Sequence, residues 1–172
     1  MENLKLGNIS LVLDNYDYIF SDFDPRPYET RALSDDFLEE CKRAALDKDE
    51  GGFELRLMIP RSRRKHSAET EVIKRLKHHF HKHFHEFLTA DRQLKQTSFW
   101  WFALGVALIF LAVLVSDWNT WWGKLLLVTL EPAGWFTAWT ALERLFIDSK
   151  SHRANLSFYR KMSGAEIIFF DY

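Results

Sequence analysis

The chain has 172 residues, and 23 basic against 24 acidic side chains leave a net charge of −1. That balance excludes a generally basic nucleic-acid binder, and one cysteine, Cys41, excludes an internal disulfide framework or a multi-cysteine zinc site. The averages conceal an asymmetry: residues 1–97 hold most of the charge and residues 98–142 almost none.

Residues 9–13, ISLVL, are mainly apolar, with β-branched Ile9 and Val12, and predict a strand, which Leu4 and Leu6 would extend. The following SDFDPRPYETR, with Pro25 and Pro27, predicts irregular chain. Ser34 is a candidate N-cap, with Leu33 stapling to Leu38, for a helix over Asp35–Leu46 whose first turn carries Asp35 and Asp36. Asp47–Gly52 reads as a polar turn. In Phe53–Ile59 the apolar residues alternate, predicting a second strand stopped by Pro60. Strand, helix, strand implies a βαβ unit with parallel strands.

A long helix is expected from Ser67. Its apolar positions 73, 76, 80, 84, 87 and 94 recur every three or four residues over much of its length, and no proline or glycine separates it from Phe99. Phe99–Val115 is a run of 17 residues without a charge. With its polar flanks it is about 30 Å of helix, the thickness of a hydrocarbon core. One helix over Ser67–Ser116 is therefore expected. After a short turn, Trp121–Leu142 is a second apolar stretch, interrupted by Lys124 and by Glu131-Pro132, where a kink is expected. Its helix should continue to about Met162, with Gly164 as the stop and EIIFFDY, Glu166–Tyr172, as a last strand.

The expected fold is an α/β membrane protein. A small cytosolic βαβ-type sheet domain is completed by the C-terminal strand, and a long two-helix transmembrane hairpin is inserted within it. The expected segments are residues 1–66 (cytosolic α/β part), 67–97 (cytosolic helix), 98–116 (first span), 117–120 (extracytoplasmic turn), 121–142 (second span), 143–163 (cytosolic helix) and 164–172 (closing strand). Eight cations flank the outer ends of the hairpin within 78–97 and 143–162, whereas the connector 117–124 holds only Lys124. That asymmetry places both termini in the cytosol and the chain in the cytoplasmic (inner or plasma) membrane. Trp100, Trp101, Trp118, Trp121, Trp122 and Trp139 fall at the expected interfaces, where indole prefers to lie.

Two constellations carry candidate chemistry. His78, His79, His81, His83 and His85 crowd one stretch of the long helix. His79/His83 and His81/His85 each have the i, i+4 spacing that sets two imidazoles on one helix face for a metal, and histidine titrates near neutral pH. Glu86 is a candidate third ligand beside His83. The same residues also read as a solvated helix face. Glu131 falls near mid-bilayer, where a charged acid costs about 2.5 kcal/mol or more, and Pro132 leaves a backbone carbonyl free. Acid and proline together read either as an ion path or as a protonated hydrogen-bonding group between helices. Asp22-x-Asp24 reads as a cation site or a turn, and Arg61, Arg63, Arg64 and Lys65 as an anion site or a solvated loop. Cys41 lies inside a short helix and reads as inert.

No catalytic motif appears, so no enzyme and no cofactor are expected. The expected function is a homo-oligomeric membrane scaffold that presents a cytosolic interaction or sensing domain to an unidentified partner. The alternative is a small homo-oligomeric cation or proton channel lined by Glu131. The lipid bilayer and further copies of the chain are the expected partners, and nucleic acid is not.

Overall fold

The computed structural model describes residues 8–46 and 53–172; the expected contribution of Leu4 and Leu6 and the turn at 47–52 lie outside them. The chain divides into two compact units, one made of Met1–His85 with Leu156–Tyr172, the other of Glu86–Asn155. It is mostly helical, with one small parallel sheet.

The first unit is built on strands β1 (Asn8–Val12), β2 (Glu54–Ile59) and β3 (Glu166–Asp171), all parallel, in the order β1-β2-β3. Leu55 pairs with Ile9 on one side and Ile167 on the other, and Leu57 pairs with Leu11 and Phe169. Period-two alternation puts Ile9, Leu55, Leu57, Ile59, Ile167 and Phe169 on one buried face. That face shares a core with Phe37, Cys41 and Ala45 of helix α1 (Asp35–Leu46). Val72, Leu76 and Phe80 come from the start of helix α2 (His66–Val115), and Phe158 and Met162 from the end of helix α4 (Ser149–Ser163). The other sheet face leaves Val12 exposed and Phe170 partly so, with the Arg56 guanidinium 5.3 Å over the Phe170 ring.

The stretch between β1 and α1 does more than connect. It contains a short 3-10 turn, Tyr16–Ile19, and buries Leu13, Tyr16, Ile19, Phe20 and Leu33 in the core. The Tyr16 hydroxyl donates to Glu69 Oε1 at 3.1 Å and accepts from the Lys65 amide at 2.9 Å. Arg64 donates to both Glu69 oxygens, at 2.8 and 3.1 Å, and to the Phe169 carbonyl at 3.3 Å. The hydrogen bonds from Arg64 hold the buried Glu69 carboxyl below its ordinary range. The first turn of α2, the loop and β3 are thus tied at one charged node.

In the second unit, α2 ends at Val115 and α3 covers Trp121–Glu143. Thr120 caps α3, its hydroxyl accepting from the Gly123 amide at 3.2 Å. α3 runs unbroken through Pro132. The expected helical run from Trp121 to Met162 is continuous, but Arg144–Asp148 forms a π-helical turn within it, ahead of α4. Such a turn holds an extra residue and re-phases the face of the helix that follows. The change coincides with a change of character, from the apolar α3 to the charged α4, whose last turn carries Arg160 and Lys161.

Candidate functional site

In the second unit the two long helices meet through small residues. α2 buries Asp91, Ser98, Gly105 and Ala112, one residue every seven, which is the repeat of a coiled-coil seam. α3 answers with Gly134, Ala138 and Ala141. A Cβ at Gly105 would lie 2.6 Å from the Ala138 amide nitrogen, and one at Gly134 would lie 2.6 Å from Ile109 Cγ1 and 2.9 Å from the Gly105 carbonyl oxygen. Contact between small residues at backbone distance is the usual way for apolar helices to associate without a hydrophobic driving force.

The large side chains point the other way. Trp100, Trp101, Phe110, Leu114, Trp118, Trp121, Trp122, Trp135 and Trp139 are all exposed, and Trp121 and Trp122 stack at 3.5 Å between ring centroids. Both helices are long and apolar enough to cross a membrane, yet only 17% of each apolar window is buried. The core helix of a soluble domain would be mostly buried, so burial argues against that alternative.

Glu131 and Pro132 are exposed, and Glu131, three residues before Gly134 and seven before Ala138, borders the small-residue seam. The α3 threonines are satisfied within their own helix, Thr129 by the carbonyls of Leu125 and Leu126, and Thr137 by that of Ala133. Two polar groups that sequence reasoning did not single out are instead inside the seam. Asp91 is 5% exposed, with one oxygen held by Lys95 at 2.6 Å and the other, Oδ1, without a hydrogen-bond partner among the described residues. Ser98 is fully buried, and its Oγ likewise has none. Their seven-residue spacing, which continues to Gly105 and Ala112, was the available signal.

The histidines fall on two faces of α2 in the first unit. His79 and His83 have ring centroids 4.3 Å apart and pack beside Tyr159 of α4. His79 Nε2 is buried without a hydrogen-bond partner, and burial, reinforced by the neighbouring His83, pushes the His79 imidazole down to about 4. His81 and His85 are exposed, with their Nε2 atoms 3.1 Å apart. Among the described residues, no three His, Cys, Asp or Glu side chains gather as a metal site.

The remaining motifs are engaged structurally. Asp24 takes the Arg26 guanidinium side-on, at 2.8 and 2.7 Å, and the Ala32 amide at 2.7 Å; Arg26 and that amide hold its carboxyl well below the usual range. This closes a turn. In the basic loop Arg63 donates to the Asp14 carbonyl and Arg64 belongs to the Glu69 node. Cys41 is fully buried, and burial pushes its thiol up to about 12. Compared with protein-family models, with curated proteins and with solved structures, the chain has no match.

Proposed function

We propose that this chain is a two-span integral membrane protein, a homo-oligomeric scaffold that presents its α/β unit in the cytosol as an interaction or sensing domain and carries no catalytic role. One observation carries the reading: α2 and α3 pair through glycine and alanine and turn their tryptophans, phenylalanines and leucines outward. That is the arrangement favoured in lipid and disfavoured in water. The cation asymmetry supports two cytosolic ends in the inner or plasma membrane. Self-association is supported by Glu131, an exposed acid in the middle of the second apolar helix, for which a neighbouring copy could supply a partner. The same acid is what favours the second reading, a cation or proton channel.

Cysteine labelling of intact cells tests the membrane reading. The native Cys41 is buried and its thiol held near 12, so it should remain silent. A membrane-impermeant maleimide should reach N119C from outside and E39C only after permeabilisation. Labelling of E39C from outside with N119C shielded would overturn the orientation, and labelling of neither even in detergent-free lysate would overturn the topology. Light scattering of the detergent-purified chain should give a mass above one copy.

A further inference from the structure

We infer that His81 and His85 form a chelating site for one divalent first-row transition metal, of the Cu²⁺, Ni²⁺ or Zn²⁺ class. The sequence offers two pairs at the same spacing, and the structure separates them. His79 and His83 are packed against Tyr159, with the His79 Nε2 enclosed. His81 and His85 are open to solvent, and each presents the same ring nitrogen, Nε2, to the other across 3.1 Å. Two nitrogens each about 2.0–2.1 Å from one metal, at a bond angle between about 90° and 110°, lie about 2.9–3.4 Å apart. The observed separation falls inside that window, so the two nitrogens already stand at a chelating distance and only the ring torsions need adjust.

In the absence of metal, 3.1 Å is also a hydrogen bond, in which one Nε2 donates its proton and the other accepts. Metal binding moves the donor ring's proton from Nε2 to its own Nδ1, a change of tautomer through solvent with no net release, so that both rings are protonated on Nδ1 and both Nε2 lone pairs face the cation. Two imidazoles leave the remaining positions for water or other small ligands, consistent with the absence of a third clustered protein ligand among the described residues. Imidazole selects borderline cations over Mg²⁺ and Ca²⁺, which prefer oxygen. The site is independent of the membrane reading, since it requires only one helix and two side chains.

The test is equilibrium competition against a chromophoric chelator, using the full chain in detergent, purified through a tag that contains no histidine. Cu²⁺ should bind tightest, followed by Ni²⁺, with Mn²⁺ weakest and Mg²⁺ without effect, following the usual order for nitrogen sites. H81A and H85A should each weaken Cu²⁺ binding about tenfold or more. H78A, a change at a neighbouring exposed histidine, should weaken it less than about twofold. All three positions are exposed, so the variants should elute and melt as wild type does. As an independent readout, the copper-bound wild type should show the electron-spin signature of two coordinated imidazoles, and H81A of one. An H81A/H85A double variant that binds Cu²⁺ within twofold of wild type overturns the site, as does a loss in H78A equal to that in H81A.

Discussion

Gly105 of α2 and Ala138 of α3 touch at backbone distance: a Cβ at 105 would lie 2.6 Å from the Ala138 nitrogen and 2.9 Å from its Cα. The obstacle is main chain, which cannot rotate away as a side chain can. Gly105→Ala should therefore force the helices apart at a cost of about 1–3 kcal/mol. Gly164 is the contrast, because a Cβ there meets nothing closer than 3.9 Å and its φ is not positive. Gly164→Ala should change stability by less than about 0.5 kcal/mol. Thermal melts in detergent, followed by the seven tryptophans, all of which lie between 100 and 139, should detect the first change.

A different probe is needed for the sheet unit, and its pH dependence rests on His79. In an unfolded chain an imidazole titrates near about 6.5, whereas burial beside His83, Arg75, Lys82 and His78 takes the folded His79 down to about 4. Between those values the unfolded chain binds more protons than the folded one. The stability owed to a neutral His79 is thus complete above about pH 6.5, declines as pH falls, and is gone below about pH 4. Amide exchange in β2 should accelerate across that window. His79→Phe, which fits beside Phe80 and Tyr159 without a titrating group, should flatten the profile.

Much of the fold was legible because periodicity and caps agreed. α1 occupies Asp35–Leu46 as its first-turn acids and polar end suggest, and the alternation in FELRLMI and EIIFFDY marks two parallel neighbours. Three features were not legible. The loop after β1 looks irregular from its prolines, yet Tyr16, Ile19 and Phe20 are core, because a 3-10 turn has no apolar period to read. The π-helical turn at Arg144–Asp148 leaves no mark on composition. Asp91 and Ser98 read as ordinary polar positions until α3 and its small residues define a seven-residue seam. For the histidines, 100° per residue sets 79 and 83 on one side of the helix and 78, 81 and 85 on another, but the sequence does not say which pair Tyr159 covers.

The closing strand can be tested residue by residue. Ile167 and Phe169 face the core, whereas Ile168 and Phe170 lie on the opposite face, so only half of the apolar tail should matter greatly. Phe169→Ala should cost about 3–5 kcal/mol, and Phe170→Ala less than about 1 kcal/mol, since it is already partly exposed. Limited proteolysis should open the sheet unit in the first variant and leave it resistant in the second.

The charged node offers a sharper comparison. Glu69 is 6% exposed and accepts from both Arg64 and Tyr16. Glu69→Ala removes the main acceptors of Arg64, leaving it the Phe169 carbonyl and Asp171, and should destabilise the sheet unit by about 1–3 kcal/mol. Glu69→Gln keeps the shape and one acceptor, and should cost less. Because Arg64 holds the Glu69 carboxyl low, its contribution is present above the unfolded carboxyl value and is lost as pH falls through the folded one. That acid-limb loss should be absent in Glu69→Gln, measured by the same amide exchange.

Glu131 distinguishes scaffold from channel. It is exposed on α3, whose neighbouring threonines are already satisfied within the helix, so in the proposed membrane arrangement its partner would come from another copy or from water. Glu131→Gln keeps the shape and most of the hydrogen bonding but cannot be charged, and the oligomer should retain its mass and melting behaviour. Glu131→Leu removes the hydrogen bonds as well, and should lower the mass measured in detergent if the group joins copies. In a pore, the leucine variant would remain assembled and only conduction would fall, since a ring of carboxylates supplies the field that attracts cations. Wild-type protein in liposomes decides between them: with the scaffold reading, no cation or proton flux develops between about pH 5 and 8, whereas a flux that glutamine abolishes without dissociating the oligomer would make Glu131 a pore residue.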